Sequence, residues 1–104
     1  MKTQAQPKRL TPFPRAKIAR RVAEIMPEGR DFTLRVADSG LPDLKVVHVV
    51  TEAWNRQPNT DRIFKVIKAV RPALTEAEND RILHFSVLTP AEYAELVEPQ
   101  PATS

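Results

Sequence analysis

The seven residues LKVVHVV, Leu44 to Val50, restrict the possible folds of this chain more than any other segment. They are apolar at nearly every position and rich in valine, a β-branched residue that favours strands. The run is far shorter than the roughly 20 apolar residues that a bilayer crossing needs. We therefore predict a strand that is covered on more than one side, and the rest of the chain must supply the elements that cover it.

Two further strands are predicted, one on each side of this segment in the sequence. In DFTLRVA (31–37) and in ILHFSVL (82–88), apolar residues alternate with mostly polar ones, the period of a half-buried strand. The apolar members are Phe32, Leu34 and Val36 in the first segment and Leu83, Phe85 and Val87 in the second. Because DSGLPD is a turn sequence, the first two strands should form an antiparallel hairpin.

Four segments have helical signals. The first is predicted over about 15–26, on the stripe Ile18, Val22, Ile25 and Met26. The second follows the loop NRQPNT, with Asn59 or Thr60 as cap and Pro72 near its end; its stripe is Ile63, Val66, Ile67, Val70 and Leu74. The last two helices begin with capping boxes, Thr75 with Glu78 and Thr89 with Glu92, and Pro90 occupies the first position of the final helix.

The order α-β-β-α-α-β-α predicts the α+β class: a small three-stranded sheet with helices packed on one face. The 104 residues suffice for one domain. We place that domain at residues 15–97. Residues 1–14, which are basic and contain three prolines, and residues 98–104 are predicted to be flexible tails.

These elements resemble the BolA-like family, which has a KH-like α+β fold, over about residues 15–97. Leu44 to Val47 resemble the family's second-strand motif, Trp54 resembles its loop aromatic, and the TPAEY segment beginning at Thr89 resembles the motif that closes its last strand. The resemblance implies a small regulator. Arg62 falls where the family has an Arg-His pair, but no histidine follows it, so the histidine with which such proteins share an iron–sulfur cluster with a glutaredoxin is not matched.

Several kinds of chemistry find no support in the sequence. The chain has no cysteine, which excludes disulfides, thiolate catalysis and cysteine-ligated zinc. Its two glycines cannot form a P-loop, a GxGxxG turn or the GXXG loop of an RNA-binding KH domain. His48 and His84 lie in neighbouring predicted strands without a third ligand, so we expect partly buried strand residues, no metal and no cofactor. We expect a protein that is not an enzyme; histidine-based catalysis is the third-ranked alternative.

Charge gives the leading functional hypothesis. The second helix has four cations and only apolar neighbours between 62 and 71, which on a helical wheel face away from the apolar stripe. Together with two cations of the first helix they predict a nucleic-acid-binding surface. The predicted residues are Arg62, Lys65, Lys68, Arg71, Lys17 and Arg20. Two interpretations compete with this one: a solvated helix face without a partner, and a protein-interaction module or accessory subunit that docks through its sheet edge.

Location is inferred from the N-terminus. The segment MKTQAQPKRLTPFPRAK has basic residues but no continuous apolar stretch of the kind found in secretory signals. We therefore expect a cytoplasmic protein without membrane contact.

Overall fold

A computed structural model describes residues 11–97, and the predicted order of elements is confirmed. The first half comprises helix α1 (Arg15–Ile25) and strands β1 (Thr33–Asp38) and β2 (Lys45–Val50). The second half comprises helix α2 (Asn59–Val70), a 3-10 turn (Arg71–Ala73), helix α3 (Glu76–Asn79), strand β3 (Ile82–Leu88) and helix α4 (Pro90–Leu96). None of these described helices is long and apolar enough to cross a membrane.

The three strands form one mixed sheet with β2 in the centre. β1 and β2 are antiparallel, as predicted, whereas β3 runs parallel to β2 on its other side. The hairpin turn contains Gly40 with φ of 90° and Asp43 with φ of 65°. Such left-handed conformations suit glycine and are tolerated by aspartate, which explains why this turn sequence reverses the chain.

The hydrophobic core lies between the sheet and the two long helices. Val47 and Val49 point from β2 into this core and are fully buried, as are Val66 and Val70 of α2. Ile18 and Val22 of α1 pack into the same cluster. Because successive strand residues face opposite sides, the residues between these valines belong to the other face, where α4 provides partial cover through Tyr93. Burial of β2 on both faces accounts for its nearly continuous apolar sequence.

Helix α2 begins differently from the prediction. Neither Asn59 nor Thr60 caps it; Pro58 occupies the capping position, and no side chain caps the helix. The carbonyl of Pro58 accepts hydrogen bonds from the backbone N–H groups of Asp61 and Arg62. Its fixed φ, near −59°, directs the chain into the first turn. The helix ends where the 3-10 turn with Pro72 begins, in agreement with the prediction for that proline.

Both predicted capping boxes are confirmed. Thr75 and Glu78 exchange hydrogen bonds at the start of α3, and Thr89 and Glu92 do so at the start of α4. The boxes satisfy backbone N–H groups that a short helix would otherwise leave without a partner.

The predicted tails lie mostly outside the described residues, which exclude 1–10 and 98–104. Residues 11–14, also assigned to the N-terminal tail, contact the domain. Arg81 donates to the carbonyl of Thr11 and lies over the ring of Phe13, and Pro14 is buried.

Substitution Val66→Asp tests the assignment of the core. We expect this variant not to fold, because the side chain of residue 66 has no exposure and a carboxylate there would be buried without a partner. Thr60→Asp is the matched control, since residue 60 is exposed in the first turn of α2, where an acid is tolerated. Circular dichroism and urea unfolding of both variants check this expectation. A folded Val66→Asp variant of native stability would contradict the core described above.

Candidate nucleic-acid interface

Arg62 is the main correction to the predicted binding surface. The sequence pattern placed it on the exposed face of α2, but its side chain is only 8% exposed. Its guanidinium lies under α4 and donates to the carbonyl of Val87 at 3.1 Å, to the Glu92 carboxylate at 2.9 Å and to the carbonyl of Gln57 at 3.0 Å. Arg62 therefore connects α2, β3 and α4 and is not available to a phosphate.

The spacing of the helix explains this burial. Arg62 lies four residues before Val66 and eight before Val70, so the three side chains share one stripe. A buried arginine needs acceptors, and two carbonyls and a carboxylate supply them here. The hydrogen bond from Arg62, followed by that from the backbone of Thr89, lowers the pKa of Glu92 below its ordinary value. The spacing of Arg62 from Val66 and Val70 could have indicated that it is buried. Its acceptors could not be identified in this way, because Val87 and Glu92 lie 25 and 30 positions away in the sequence.

Two other predicted cations are engaged by neighbouring groups. Arg71 is half-buried, lies 5.2 Å from the centre of the Phe85 ring and donates to the side chain of Asn79. Lys17 binds both oxygens of Glu78, at 2.9 and 3.0 Å. The pKa of Glu78 is lowered by its capping bond to the backbone of Thr75 and then by Lys17. Glu78 therefore neutralises Lys17, whereas Arg71 keeps its charge but is held against Phe85 and Asn79.

Lys65, Lys68 and Arg20 are exposed, as predicted. Within residues 11–97, none of the three takes part in an ion pair. The two lysines line a common cleft, whereas Arg20 lies on α1 outside its lining. The structure therefore brings together two of the six predicted residues.

The cleft has a volume of about 460 Å³ and contains two aromatic residues, Trp54 and Phe64. Its lining residues are Ile25, Trp54, Gln57, Asp61, Phe64, Lys65 and Lys68. Phe64 is 56% exposed, whereas phenylalanine side chains are usually buried. We call this surface the α2 cleft.

Trp54 forms one wall of the α2 cleft. It has φ of 61°, a left-handed conformation that a bulky residue rarely adopts. Its side chain is half-buried against the core, and the ammonium of Lys65 lies 5.8 Å from the ring centre. In the sequence, Trp54 resembles the loop aromatic of the BolA-like family. The structure places the ring between the core and the cleft.

Phe64 could have been identified from the sequence by its position. It lies directly after Ile63 and two residues before Val66, outside the apolar stripe of α2, where a polar residue would be expected.

The opposite face of the sheet carries both histidines. Arg35, His48 and Ser86 lie side by side on the three strands. The Nδ1 atom of His48 is 2.5 Å from the hydroxyl oxygen of Ser86, and the ring of Tyr93 packs edge-on at a centroid distance of 5.7 Å. The guanidinium of Arg35 also lies over the Tyr93 ring, 5.8 Å from its centre. Together these contacts hold α4 against the sheet.

His48 is a structural residue in this arrangement. Burial, and then the nearby His84, lower the pKa of His48, so the neutral imidazole is favoured. In the described part of the chain, no group of three His, Cys, Asp or Glu side chains is close enough together to hold a metal ion. The interpretation of His48 as a strand residue with a satisfied hydrogen bond agrees with this geometry.

Comparison with known proteins adds no relative: the chain matches no family model, and searches of curated proteins and of solved structures find no similar protein. The likeness to the BolA-like family remains a prediction from the residues.

Replacement of Arg62 by methionine tests its anchoring role. We expect the free energy of unfolding to fall by about 1–3 kcal/mol, because the carbonyl of Val87 and the Glu92 carboxylate lose their donor. Because the side chain of Glu92 is 40% exposed, the loss of unfolding free energy should be smaller than for a fully buried ion pair. Lys68→Met is the matched control and should change stability by less than about 0.5 kcal/mol. Equal losses in urea unfolding of the two variants would argue against a buried role for Arg62.

Acidification tests the environment of His48. Since the pKa of His48 is lower in the folded state than in the unfolded chain, the unfolded state binds the proton more readily. The contribution of neutral His48 to stability is complete above about pH 6.5, and it is lost as the pH falls through the pKa of His48 in the folded state. We therefore expect the unfolding free energy to decrease between about pH 7.5 and 5.5.

The variants His48→Gln and His84→Gln separate the two histidines in this experiment. The first should remove most of the pH dependence in this window, whereas the second should keep the larger part, because burial is the main cause of the shift. The pKa values of Glu78 and Glu92 are lowered, so these carboxylates stay ionised throughout. A His48→Gln variant with undiminished pH dependence would contradict the assignment.

Proposed function

We propose that this protein is a small, non-enzymatic binding protein of the cytoplasm that contacts nucleic acid through the α2 cleft. The observation that carries the proposal is the proximity of two exposed lysines to the exposed ring of Phe64 and to Trp54. Ammonium groups bind phosphates, and aromatic rings stack on bases. The family resemblance supports the further proposal that the protein acts as a BolA-like or KH-like regulator.

The size of the charge cluster limits the mode of binding. Two lysines contact about two phosphates, which alone gives weak and strongly salt-dependent binding. Base stacking contributes about 1–3 kcal/mol per base and is needed to raise the affinity. The proposed interface therefore differs from the one predicted from the sequence: Arg62 and Arg71 serve the fold, and Phe64 and Trp54 take their place.

Docking of a partner protein at a sheet edge is the second candidate. β1 and β3 are both edge strands, and Leu83 on β3 is 42% exposed. However, Arg15 donates to the carbonyl of Leu34 on β1, and Arg62 donates to that of Val87 on β3. An added strand would have to displace these arginines, which makes the α2 cleft the better-supported interface.

Charge reversal tests the proposed function. We expect Lys65→Glu with Lys68→Glu to abolish binding to short labelled DNA and RNA oligonucleotides in a fluorescence anisotropy titration. For the unmodified protein, binding should weaken about tenfold between about 50 and 200 mM salt, as expected for two phosphate contacts. Single-stranded and double-stranded probes should both be titrated, because stacking on Phe64 requires unpaired bases.

The control variant is Arg30→Glu with Lys45→Glu, which changes the net charge by the same amount but alters no residue of the cleft. It should keep most of the affinity. Phe64→Ala should weaken binding without altering the melting temperature, since the ring is exposed. If the unmodified protein binds no oligonucleotide at low salt, or if both double variants lose affinity equally, the proposed function is wrong.

A further inference from the structure

The α2 cleft contains a carboxylate that phosphate binding does not explain. Asp61 lines the cleft beside Lys65 and Lys68 and is exposed. Within residues 11–97 it forms no ion pair. A carboxylate at this position repels phosphates and weakens the attraction of the two lysines. An acid in the first turn of α2 interacts favourably with the helix dipole. That interaction does not explain why aromatic and cationic side chains lie beside Asp61.

The cleft residues of the helix follow a regular spacing. Asp61, Phe64, Lys65 and Lys68 fall at i, i+3, i+4 and i+7 and therefore lie on one side of α2, with Gln57 just before the helix. Along this side the chain presents an amide, a carboxylate, an aromatic ring and two ammonium groups. Asp61 and Lys68 are separated by about 10 Å along the helix axis, a length similar to that of a nucleotide from its base edge to its phosphate.

We propose that the α2 cleft binds one unpaired nucleotide and selects guanine, with Asp61 accepting hydrogen bonds from the base. The ring stacks on Phe64 beside Trp54, Asp61 contacts the Watson–Crick edge, and the lysines contact the phosphate. The volume of about 460 Å³ lies in the range of sites for small ligands. This inference rests on the proposed function and adds a base preference to it.

The preference for guanine follows from hydrogen-bond chemistry. An ionised carboxylate only accepts hydrogen bonds, and it binds best to two parallel N–H donors. Guanine presents such a pair, N1–H and the N2 amino group, on its Watson–Crick edge. Adenine and cytosine each present one amino group next to a ring nitrogen that repels the carboxylate, and uracil presents one N–H between two carbonyls. The amide of Gln57 or the ammonium of Lys65 can donate to guanine O6.

The need for an unpaired base follows from the same contacts. In a duplex, cytosine occupies the Watson–Crick edge of guanine, and neighbouring bases cover both of its faces. Asp61 and Phe64 can reach these groups only in a single strand, a loop or a strand end.

Mononucleotide titrations test this inference. The protein has one tryptophan, Trp54, so its fluorescence reports on the cleft without labelling. Guanosine, adenosine, cytidine and uridine 5′-monophosphates should be titrated into the full chain, with free tryptophan as the correction for nucleotide absorbance. We expect guanosine monophosphate to bind at least about tenfold more tightly than the other three, the discrimination of one good bidentate contact.

Asp61→Asn isolates the role of the carboxylate. We expect it to remove the guanine preference while oligonucleotide binding persists or increases, because a repulsive charge is removed. Asp80→Asn, an equivalent change at an exposed residue outside the cleft, should keep the preference. Urea unfolding of both variants separates this effect from any loss of helix stability.

The outcomes distinguish this inference from the proposed function. Equal affinity for the four mononucleotides, no mononucleotide binding, or an unchanged preference in Asp61→Asn would overturn guanine selection, whatever the oligonucleotides do. If the unmodified protein binds no oligonucleotide, the proposed function itself is wrong. A guanine preference that Asp61→Asn abolishes and Asp80→Asn retains would support the inference.

Discussion

The orientation of α2 determines which residues this protein presents to solvent, and the buried side chain of Arg62 helps to fix it. Val66 and Val70 give the helix an apolar contact with the sheet, which resists rotation but is not directional. The three hydrogen bonds of Arg62 are directional, and two of them link the helix to the edge strand β3 and to α4. Once Arg62 points inward, Asp61, Phe64 and Lys65 must point away from the sheet.

This arrangement explains why the fold could be predicted from the sequence more fully than the site. Strand β2, the stripe of Val66 and Val70 and the two capping boxes depend on local patterns, and these patterns were sufficient to predict the order of the described α-helices and strands. The fate of Arg62 depends on Val87 and Glu92, which are distant in sequence and reach it only through the parallel pairing of β3 with β2. The periodicity of α2 aligns Arg62 with Val66 and Val70, but it does not reveal which groups accept the hydrogen bonds of Arg62.

Ion pairs between distant segments also determine how charge is distributed over the surface. The acidic C-terminal third neutralises basic residues of the earlier elements: Glu78 binds Lys17, and Glu92 binds Arg62. Residues 1–30 contain eight Lys and Arg against two Asp and Glu, whereas residues 75–104 contain one against six. These ion pairs partly cancel that charge gradient in three dimensions. What remains on α2 is a local cluster, Lys65 and Lys68, whose meaning depends on its neighbours more than on the net charge of +3.

The two faces of the sheet impose different limits on function. His48 contacts the hydroxyl of Ser86 and the ring of Tyr93, so this face helps to fix α4 in place. The helix-covered face buries most of its apolar residues against α1 and the inner side of α2, so the outer side of α2 is not part of the core cluster. The ring of Phe64 on that outer side gains little from folding, because more than half of the residue remains exposed to water. Selection for folding alone would favour a polar residue at position 64, whereas a base that stacks on the ring would account for phenylalanine.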